Sequence, residues 1–375
     1  MTYSAPTEGL AERLEGMRVC ICAGSGGVGK TTTAAALAMG LAARGAKVAV
    51  VTIDPAKRLA TSLGLAELGN EPRLVDPELF AAEGRDMHGE LWAMMLDPKR
   101  TFDDLIGRLA PDGGARDEVL DNRIYKELSG AVAGSQEFSA ITKLYELHRE
   151  GGYDVIVLDT PPSRNALDFL DAPARLTQFL EGRALRMFLA PSGLASRVVG
   201  RGTGAVFSVL KRLTGVDLLN DLSVFFRALS GMLDGFRERA SSVGALLRDP
   251  STTFLIVTSP EPEPVEEAIY FRSQLARARM PFGGLIVNRV NGQELLSADP
   301  ERVQAELEPE LGGRLAGRIA SNLEDFQVLA QRDQQSIAHL SRELDDAHPI
   351  LIPHLDGDVH EVGALLGIER HLFAS

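Results

Sequence analysis

The sequence predicts an α/β protein with a doubly wound, mainly parallel β-sheet. Short apolar runs recur along the 375 residues, and helix-length segments separate them. The runs are continuous rather than alternating, as strands buried on both faces require. A glycine-rich loop joins the first run to an alanine-rich segment, so the chain begins with a strand, a tight loop and a helix.

The runs that we interpret as strands are short and rich in valine, isoleucine and leucine, as buried parallel strands are. Because strands and helix-length segments alternate, helices are expected on both faces of the sheet. The expected strands lie at Val19–Ala23, Val48–Ile53, Leu91–Leu96, Val155–Leu158, Phe254–Thr258, Leu285–Asn288 and Ile350–Ile352.

Two long intervals, residues 98–150 and 165–250, lack such runs. In the second, leucine, phenylalanine and methionine recur at the spacing of amphipathic helices. Its basic residues outnumber its acidic ones between positions 172 and 215. These apolar stripes fit either the core of a subdomain or a surface for an apolar client. We expect an N-terminal tail at 1–16, a main α/β domain at 17–164 and 251–375, and a helical insert at 165–250.

Composition argues against several functions. A net charge of −13 disfavours a nucleic-acid binder, because phosphate backbones need a basic surface. No stable membrane span is expected, and residues 1–15 lack the apolar core of a secretion signal, so we expect a cytoplasmic protein. Both cysteines, Cys20 and Cys22, lie on the first predicted strand and are expected to be buried packing residues. The histidines do not cluster, so no zinc site is expected.

The most specific motif runs from Gly24 to Thr31 and reads Gly-Ser-Gly-Gly-Val-Gly-Lys-Thr. Glycines allow consecutive backbone N–H groups to turn toward phosphate oxygens, and the following helix presents its positive dipole end to the same anion. Lys30 would reach the β- and γ-phosphates, and the Thr31 hydroxyl would bind Mg²⁺. The motif therefore predicts a phosphate-binding loop for ATP or ADP with Mg²⁺.

A dinucleotide-binding loop is the chemical alternative. The same glycines satisfy the pattern of a dinucleotide fold, and Asp54 at the end of the next apolar run could bind a ribose. That interpretation gives no role to Lys30 or Thr31. It also places the acid farther from Gly24 than the dinucleotide pattern normally does.

Three further stretches lie at the ends of predicted strands, where a nucleoside triphosphatase needs polar groups. Asp54 could face the γ-phosphate and orient the attacking water, which makes it a candidate catalytic residue beside Lys30. Asp159 follows the strand at 155–158 and could hold Mg²⁺ through a water molecule. Asn288 and Arg289 end a later strand, where an amide can bind the edge of a base. With the glycine-rich loop, these positions form one site.

In their order along the chain, these motifs resemble the anion-transporting ATPases that include the arsenical-pump and tail-anchored-protein-targeting enzymes. The Asp54-Pro55-Ala56, Asp159-Thr160-Pro161-Pro162 and Ile352-Pro353 stretches complete the likeness, which covers nearly the whole chain. The resemblance implies a dimer with ATP at the subunit interface and an insert that receives transmembrane segments. It also implies a residue set in which Asp54 positions water, Asn288 and Pro353 border adenine, and phosphate and Mg²⁺ are bound by Gly26, Gly27, Val28, Gly29, Lys30, Thr31 and Thr32.

The chain departs from the family pattern in ways that matter. The family loop begins Gly-Lys-Gly-Gly, and its first lysine crosses the dimer to the partner's nucleotide, whereas this chain has Ser25 there. Arg164 could supply the missing charge. The zinc-bridging cysteine pair of the targeting enzymes and the thiols of the arsenical pump are both absent from the sequence, so arsenite transport is not expected.

Two alternatives to a self-sufficient ATPase follow. The chain could be the poorly hydrolysing half of a heterodimer with a lysine-bearing paralogue. It could also position cellular components on a membrane, for which the terminal segment Val359–Phe373 is the candidate amphipathic helix.

Overall fold

The computed structural model describes residues 9–54, 58–128, 135–161, 225, 227, 230–355 and 362–374. Arg164, residues 165–224 of the predicted insert and the first three residues of Val359–Phe373 lie outside the described residues.

One sheet organises the described chain. Its strands are β1 (Val19–Ala23), β2 (Lys47–Thr52), β3 (Arg73–Leu74), β4 (Glu90–Met95), β5 (Val155–Asp159), β6 (Thr252–Thr258), β7 (Phe282–Val290) and β8 (Ile350–Pro353). They lie in the order β3-β4-β2-β5-β1-β6-β7-β8, and every neighbouring pair is parallel except β3 with β4. The predicted fold class is confirmed, as are all seven predicted strands. The edge strand β3 was not predicted, because two exposed residues carry no burial pattern.

Helices alternate with the strands, as a doubly wound fold requires. They are α1 (Leu10–Arg13), α2 (Lys30–Ala43), α3 (Arg58–Ser62), α4 (Glu78–Ala81), α5 (Pro98–Leu109), α6 (Gly113–Leu120), α7 (Arg123–Leu128), α8 (Ser135–Glu150), α9 (Leu233–Leu246), α10 (Pro262–Ala278), α11 (Pro300–Leu311), α12 (Gly313–Leu344) and α13 (Val362–Leu372).

The centre of the sheet is buried on both faces. Every residue of β1, β5 and β6 is buried, which explains their uninterrupted apolar sequences. Helix α2 covers this centre with alanines, whose small side chains allow a close approach to the strands. Cys20 and Cys22 are buried and unbridged in the same core, as predicted, and burial raises the pKa of the Cys20 thiol to about 12.

The C-terminal helix α13 packs on α2. Its residues Leu365, Leu366 and Leu372 are buried in the main core, and the Arg44 guanidinium lies 3.9 Å from the centre of the Phe373 ring. A side chain at Gly40 would overlap this ring, so the contact requires glycine. The apolar face of α13 is therefore part of the core, which contradicts the membrane-binding interpretation of the terminal segment for its described residues.

The chain divides into two compact units. The first comprises the described residues of Met1–Leu96, Leu147–Leu167 and Arg248–Ser375 and contains the whole sheet. The second comprises the described residues of Asp97–Glu146 and Asp168–Leu247. The sequence analysis assigned 98–146 to the main α/β domain, whereas these residues cluster with the end of the predicted insert.

Aromatic packing explains why these two segments of the chain form one unit. Phe102 of α5 stacks on Phe236 of α9, with ring centres 5.9 Å apart, and on Tyr125 at 6.2 Å. Asp97 caps the N-terminus of α5, and its carboxylate accepts a 3.0 Å hydrogen bond from the Arg100 backbone N–H. The long strandless interval before β5 and the last helix of the predicted insert thus share one core.

Candidate nucleotide site

The glycine-rich loop leaves the carboxyl end of the central strand β1 and enters α2 at Lys30. Gly24 packs against the backbone of Val257 on the neighbouring strand β6, where a side chain would overlap the carbonyl oxygen. Gly27 and Gly29 have φ angles of 81° and 92°, in the left-handed region that favours glycine. Gly26 and Gly27 are exposed, so the described loop leaves their backbone accessible to an anion.

Lys30 is buried inside this loop. Its ammonium Nζ donates a 2.8 Å hydrogen bond to the Ser25 carbonyl oxygen. Burial lowers the pKa of Lys30, and the negative charges of Asp159 and Asp54 oppose that shift. The sequence predicted a cation at the loop, and the structure places it there. Thr32, also predicted, is half-buried in the first turn of α2.

Asp159 is the electrostatic centre of the site. It is 1% exposed, and its Oδ2 accepts hydrogen bonds from Thr31 Oγ1 at 2.6 Å and Thr52 Oγ1 at 2.9 Å. Its Oδ1 is buried and has no hydrogen-bond partner in the described chain. Burial raises the pKa of Asp159 to about 6, although the two hydroxyls and Lys30 lower it.

This group suits Mg²⁺. A hydroxyl and a carboxylate are the hard oxygen ligands that the ion prefers, usually with several bound waters retained. The buried Oδ1 of Asp159 leaves one acceptor that a metal-bound water could satisfy. Thr31 and Asp159 would therefore hold the ion, Asp159 through water.

Thr52 is a site residue that the sequence analysis did not single out. Besides donating to Asp159, its Oγ1 accepts a 3.1 Å hydrogen bond from the Asp54 backbone N–H. The parallel register of β2 and β5 sets Thr52 directly beside Asp159. The available signal was a hydroxyl at the end of a strand that neighbours the acid predicted to hold Mg²⁺. That signal becomes informative only when the register of the two strands is known.

Asp54 lies beyond the end of β2, at the edge of the sheet where β1 and β5 also end. Its side chain is partly exposed and lies 3.6 Å from the Arg58 guanidinium in the first turn of α3. Residues 55–57 between them lie outside the described part of the chain. The structure thus brings Asp54 to the same end of the sheet as Lys30 and Asp159, and adds Arg58, which the sequence analysis did not consider.

Asn288 supports the loop. Its side-chain Nδ2 donates a 2.8 Å hydrogen bond to the Val28 carbonyl oxygen, and its Oδ1 accepts one of 2.9 Å from the Arg289 backbone N–H. Arg289 is exposed, with a φ angle of 60°. Pro353 ends β8 opposite Val290. Asn288, Arg289 and Pro353 therefore lie at the carboxyl ends of the neighbouring strands β7 and β8, and their contact with adenine remains a prediction.

The described residues contain no group of three or more histidine, cysteine or acidic side chains arranged to hold a metal ion by themselves. None of the helices in the described part of the chain combines the length and the hydropathy that crossing a membrane requires.

A glycine-rich loop between the central parallel strand and a helix, with its lysine and hydroxyl beside a buried acid, defines a P-loop nucleoside triphosphatase. The sequence profile of the family described as "Anion-transporting ATPase" matches residues 17–332. The chain belongs to this family, whose members are ATP-hydrolysing enzymes.

Similar proteins agree with this assignment. The chain is 27% identical to ATPase GET3A of Arabidopsis thaliana over 278 residues, which are 74% of this chain and 68% of the relative. It is 27% identical to ATPase ARSA2 of Chlamydomonas reinhardtii over 315 residues, 82% of this chain and 76% of the relative. An uncharacterised protein of Streptomyces coelicolor is 28% identical over 353 residues, 92% of this chain and 78% of the relative.

Proposed function

We propose that the protein is a nucleotide-driven dimer that couples Mg²⁺-dependent ATP hydrolysis to the handling of a hydrophobic or membrane-associated client. The observation that carries the catalytic part is the buried Asp159 carboxylate. One of its oxygens binds the Thr31 and Thr52 hydroxyls, and the other has no hydrogen-bond partner in the described chain, next to the lysine of the loop.

In the proposed reaction, water attacks the γ-phosphate in line with the departing ADP. Bound Mg²⁺ would supply charge neutralisation on the β- and γ-phosphate oxygens. Lys30 would exchange the Ser25 carbonyl for a phosphate oxygen, and the backbone N–H groups of Gly26, Gly27, Val28 and Gly29 would surround the same anion. Asp54 would orient the water, and its backbone contact with Thr52 ties its position to Asp159.

The client part of the proposal rests on the predicted insert and on the family. In the described end of that interval, Met232 and the α9 residues Leu233 and Phe236 are buried. Any client surface would therefore be formed by residues 165–224, whose apolar and basic character is read from the sequence. The domain boundary at 165–250 belongs to the same proposal.

A second candidate is a nucleotide-binding subunit that hydrolyses poorly until it meets a lysine-bearing paralogue. Ser25 favours this candidate. Its side chain is buried, and its Oγ has no hydrogen-bond partner within the described residues. A buried hydroxyl cannot carry positive charge to a partner's nucleotide, which the lysine at this place in related enzymes does.

Calorimetry with Mg·ADP and Mg·ATP tests nucleotide binding. Lys30→Ala should remove binding, because Lys30 is the cation of the loop and would contact the phosphates. Lys99→Ala is the matched control, since Lys99 is exposed and pairs with Asp103 in the second unit. Unchanged affinity in Lys30→Ala, or tighter binding of NAD than of ATP, would reject the proposed site.

Hydrogen exchange tests the client surface. Exchange in residues 165–224 should change when Mg·ATP binds, because a client surface that opens and closes must change its protection. Strong protection there that is independent of nucleotide would identify the interval as ordinary core and remove the client part of the proposal alone.

A further inference from the structure

An open cavity lies at the end of helix α2 that is remote from the glycine-rich loop. Helix α2 begins at Lys30 in the loop and ends at Ala43, so about 20 Å of helix separate the cavity from the proposed nucleotide site. The cavity has a volume of about 470 Å³, within the range of about 300–1,000 Å³ that is usual for small-molecule sites. It is lined by Ala43, Arg44, Gly84, Arg85, Asp86 and His88.

Backbone contacts fix the segment that forms one wall of this cavity. The Arg85 backbone N–H donates a 2.9 Å hydrogen bond to the carbonyl oxygen of Phe80, a fully buried residue of α4. The Gly89 backbone N–H donates one of 2.9 Å to the Ala42 carbonyl oxygen, and a side chain at Gly89 would overlap the backbone of Ala46. The segment is therefore held by α4 at one end and by α2 at the other, which sets its basic side chains beside the end of α2.

Two arginines of the cavity share one carboxylate oxygen. Nη1 of Arg44 and Nη2 of Arg85 lie 2.7 Å and 2.6 Å from Oε1 of Glu369, which is 3% exposed. Because arginine stays charged in proteins, one carboxylate balances only one of the two guanidinium charges. Asp86 also lines the cavity, but it is exposed, so water and salt screen its charge. The buried part of the cluster therefore keeps a positive charge.

Arg85 has hydrogen-bond donors that the described chain does not use. Its guanidinium donates to Glu369, and its buried Nε has no hydrogen-bond partner among the described residues. A buried donor without an acceptor is unfavourable. The side chains of Arg44 and Arg85 are 38% and 35% exposed, so a ligand in the cavity can reach both and supply the acceptor.

The donors indicate the class of ligand. Two guanidinium groups and the His88 imidazole line the cavity from two different elements. Guanidinium groups match carboxylates and phosphates in geometry, and Glu369 already supplies a carboxylate. A phosphate group carries three strong acceptor oxygens and nearly two negative charges at pH 7. It can therefore contact several of these donors at once and balance the remaining charge.

We infer that this cavity binds the phosphate group of a small molecule, as inorganic phosphate or as a phosphate monoester. Arg44, Arg85 and His88 contact the phosphate oxygens, and Glu369 holds the two guanidinium groups together. The inference goes beyond the proposed function, because the cavity contains no residue of the glycine-rich loop. Binding there needs neither Lys30 nor Mg²⁺.

Calorimetry with glycerol 3-phosphate at constant ionic strength tests the inference. The full chain and its Lys30→Ala variant are both measured, since the natural glycine-rich loop would also bind phosphate. One equivalent should bind to Lys30→Ala, and that binding belongs to the cavity. Inorganic phosphate is the second probe. Tighter binding of the ester identifies a phosphorylated small molecule as the ligand, and equal affinities identify free phosphate.

Charge variants assign the binding to the cavity. Arg85→Gln should weaken it at least roughly tenfold, because a charged hydrogen-bond donor is lost while the pair between Arg44 and Glu369 remains. Arg73→Gln is the matched control, because Arg73 is exposed on β3 of the same unit and does not line the cavity. Glu369→Gln should tighten binding, because it removes the competing negative charge. Circular dichroism should show that the variants stay folded.

A Lys30→Ala variant that binds neither probe at millimolar concentration would overturn the inference. So would an unchanged affinity in Arg85→Gln, or acetate binding as tightly as phosphate. If the three side chains only hold α13 on α2, Glu369→Gln would lower the melting temperature and would not raise the affinity. Arg85→Gln with weakened ester binding but unchanged Mg·ATP affinity would separate this site from the proposed function, which Lys30→Ala tests.

Discussion

The side-chain amide of Asn288 donates a 2.8 Å hydrogen bond to the backbone carbonyl of Val28 and so ties the end of β7 to the glycine-rich loop. Both residues are buried. The amide predicted to bind a base edge therefore supports the phosphate loop from behind in this structure. This contact makes the role of Asn288 testable separately from adenine recognition.

Asn288→Ala should weaken binding of Mg·ADP and of Mg·tripolyphosphate by a similar factor, roughly tenfold. The Val28 carbonyl would lose its side-chain donor while buried, which typically costs about 1–3 kcal/mol. Calorimetry with both ligands measures the effect. If the only role of Asn288 were adenine recognition, the affinity for tripolyphosphate, which lacks a base, would not change.

Gly29→Ala should lower the free energy of unfolding by more than the substitution of a glycine with a positive φ angle normally does. The φ angle of Gly29 is 92°, and a side chain there would also overlap the Asn288 amide. Gly45→Ala is the matched control, because Gly45 has a φ angle of 103° and its added carbon would meet no atom within 4 Å. The strained backbone alone should lower the free energy of unfolding by about 1–3 kcal/mol in each variant. The additional loss in Gly29→Ala, which comes from the overlap with Asn288, should shrink in the Gly29→Ala/Asn288→Ala double variant. Urea unfolding gives these values, and equal losses for both glycines would contradict the overlap.

Asp159 should make the apo protein less stable as the pH rises. Burial raises its pKa from 3.8 to about 6, so its contribution to stability is full below pH 3.8 and is lost as the pH rises through about 6. Asp159→Asn cannot titrate. The stability of the variant relative to the natural protein should therefore increase by at most about 3 kcal/mol between pH 4 and pH 7. Urea unfolding at both pH values checks this, and a constant difference would show that Asp159 does not titrate there.

The sheet could be predicted because burial on both faces makes β1, β2, β5 and β6 almost purely apolar. The loop could be predicted because glycines, a lysine and a hydroxyl at fixed spacing suit little other than phosphate. Strand β3 could not be predicted, because its pairing with β4 depends on the rest of the fold and not on its own two residues.

The fine structure of the site depends on contacts distant in sequence. Thr52 meets Asp159 through the register of β2 and β5, and Asn288 meets Val28 across 260 positions. No local pattern encodes either contact. The meeting of Arg44 and Arg85 at Glu369 is of the same kind, because it joins residues from three distant parts of the sequence.

Ser25 should limit the rate of ATP hydrolysis. A lysine at this place would bring a positive charge to the phosphoryl group in the partner's site, and cations acting in this way raise rates by ~10³ to 10⁵ in phosphoryl-transfer enzymes. The purified protein should therefore bind ATP but turn it over slowly, and Ser25→Lys should raise the rate at least tenfold. Ser25→Met is the matched control, because methionine has a similar length without the charge. Steady-state phosphate release measures all three.

Arg164 is the residue of this chain that could replace the missing lysine, so its substitution shows where the catalytic cation comes from. If the unmodified protein hydrolyses ATP rapidly and Arg164→Ala abolishes this, Arg164 supplies the cation and the heterodimer candidate is wrong. If hydrolysis is slow and Arg164→Ala leaves it unchanged, the cation is missing from this chain. A lysine-bearing paralogue should then raise turnover in the site built on Lys30 and Asp54, and Lys30→Ala in this chain should abolish that gain, because the stimulated site contains this lysine. A gain that survives Lys30→Ala would place the active site on the paralogue instead.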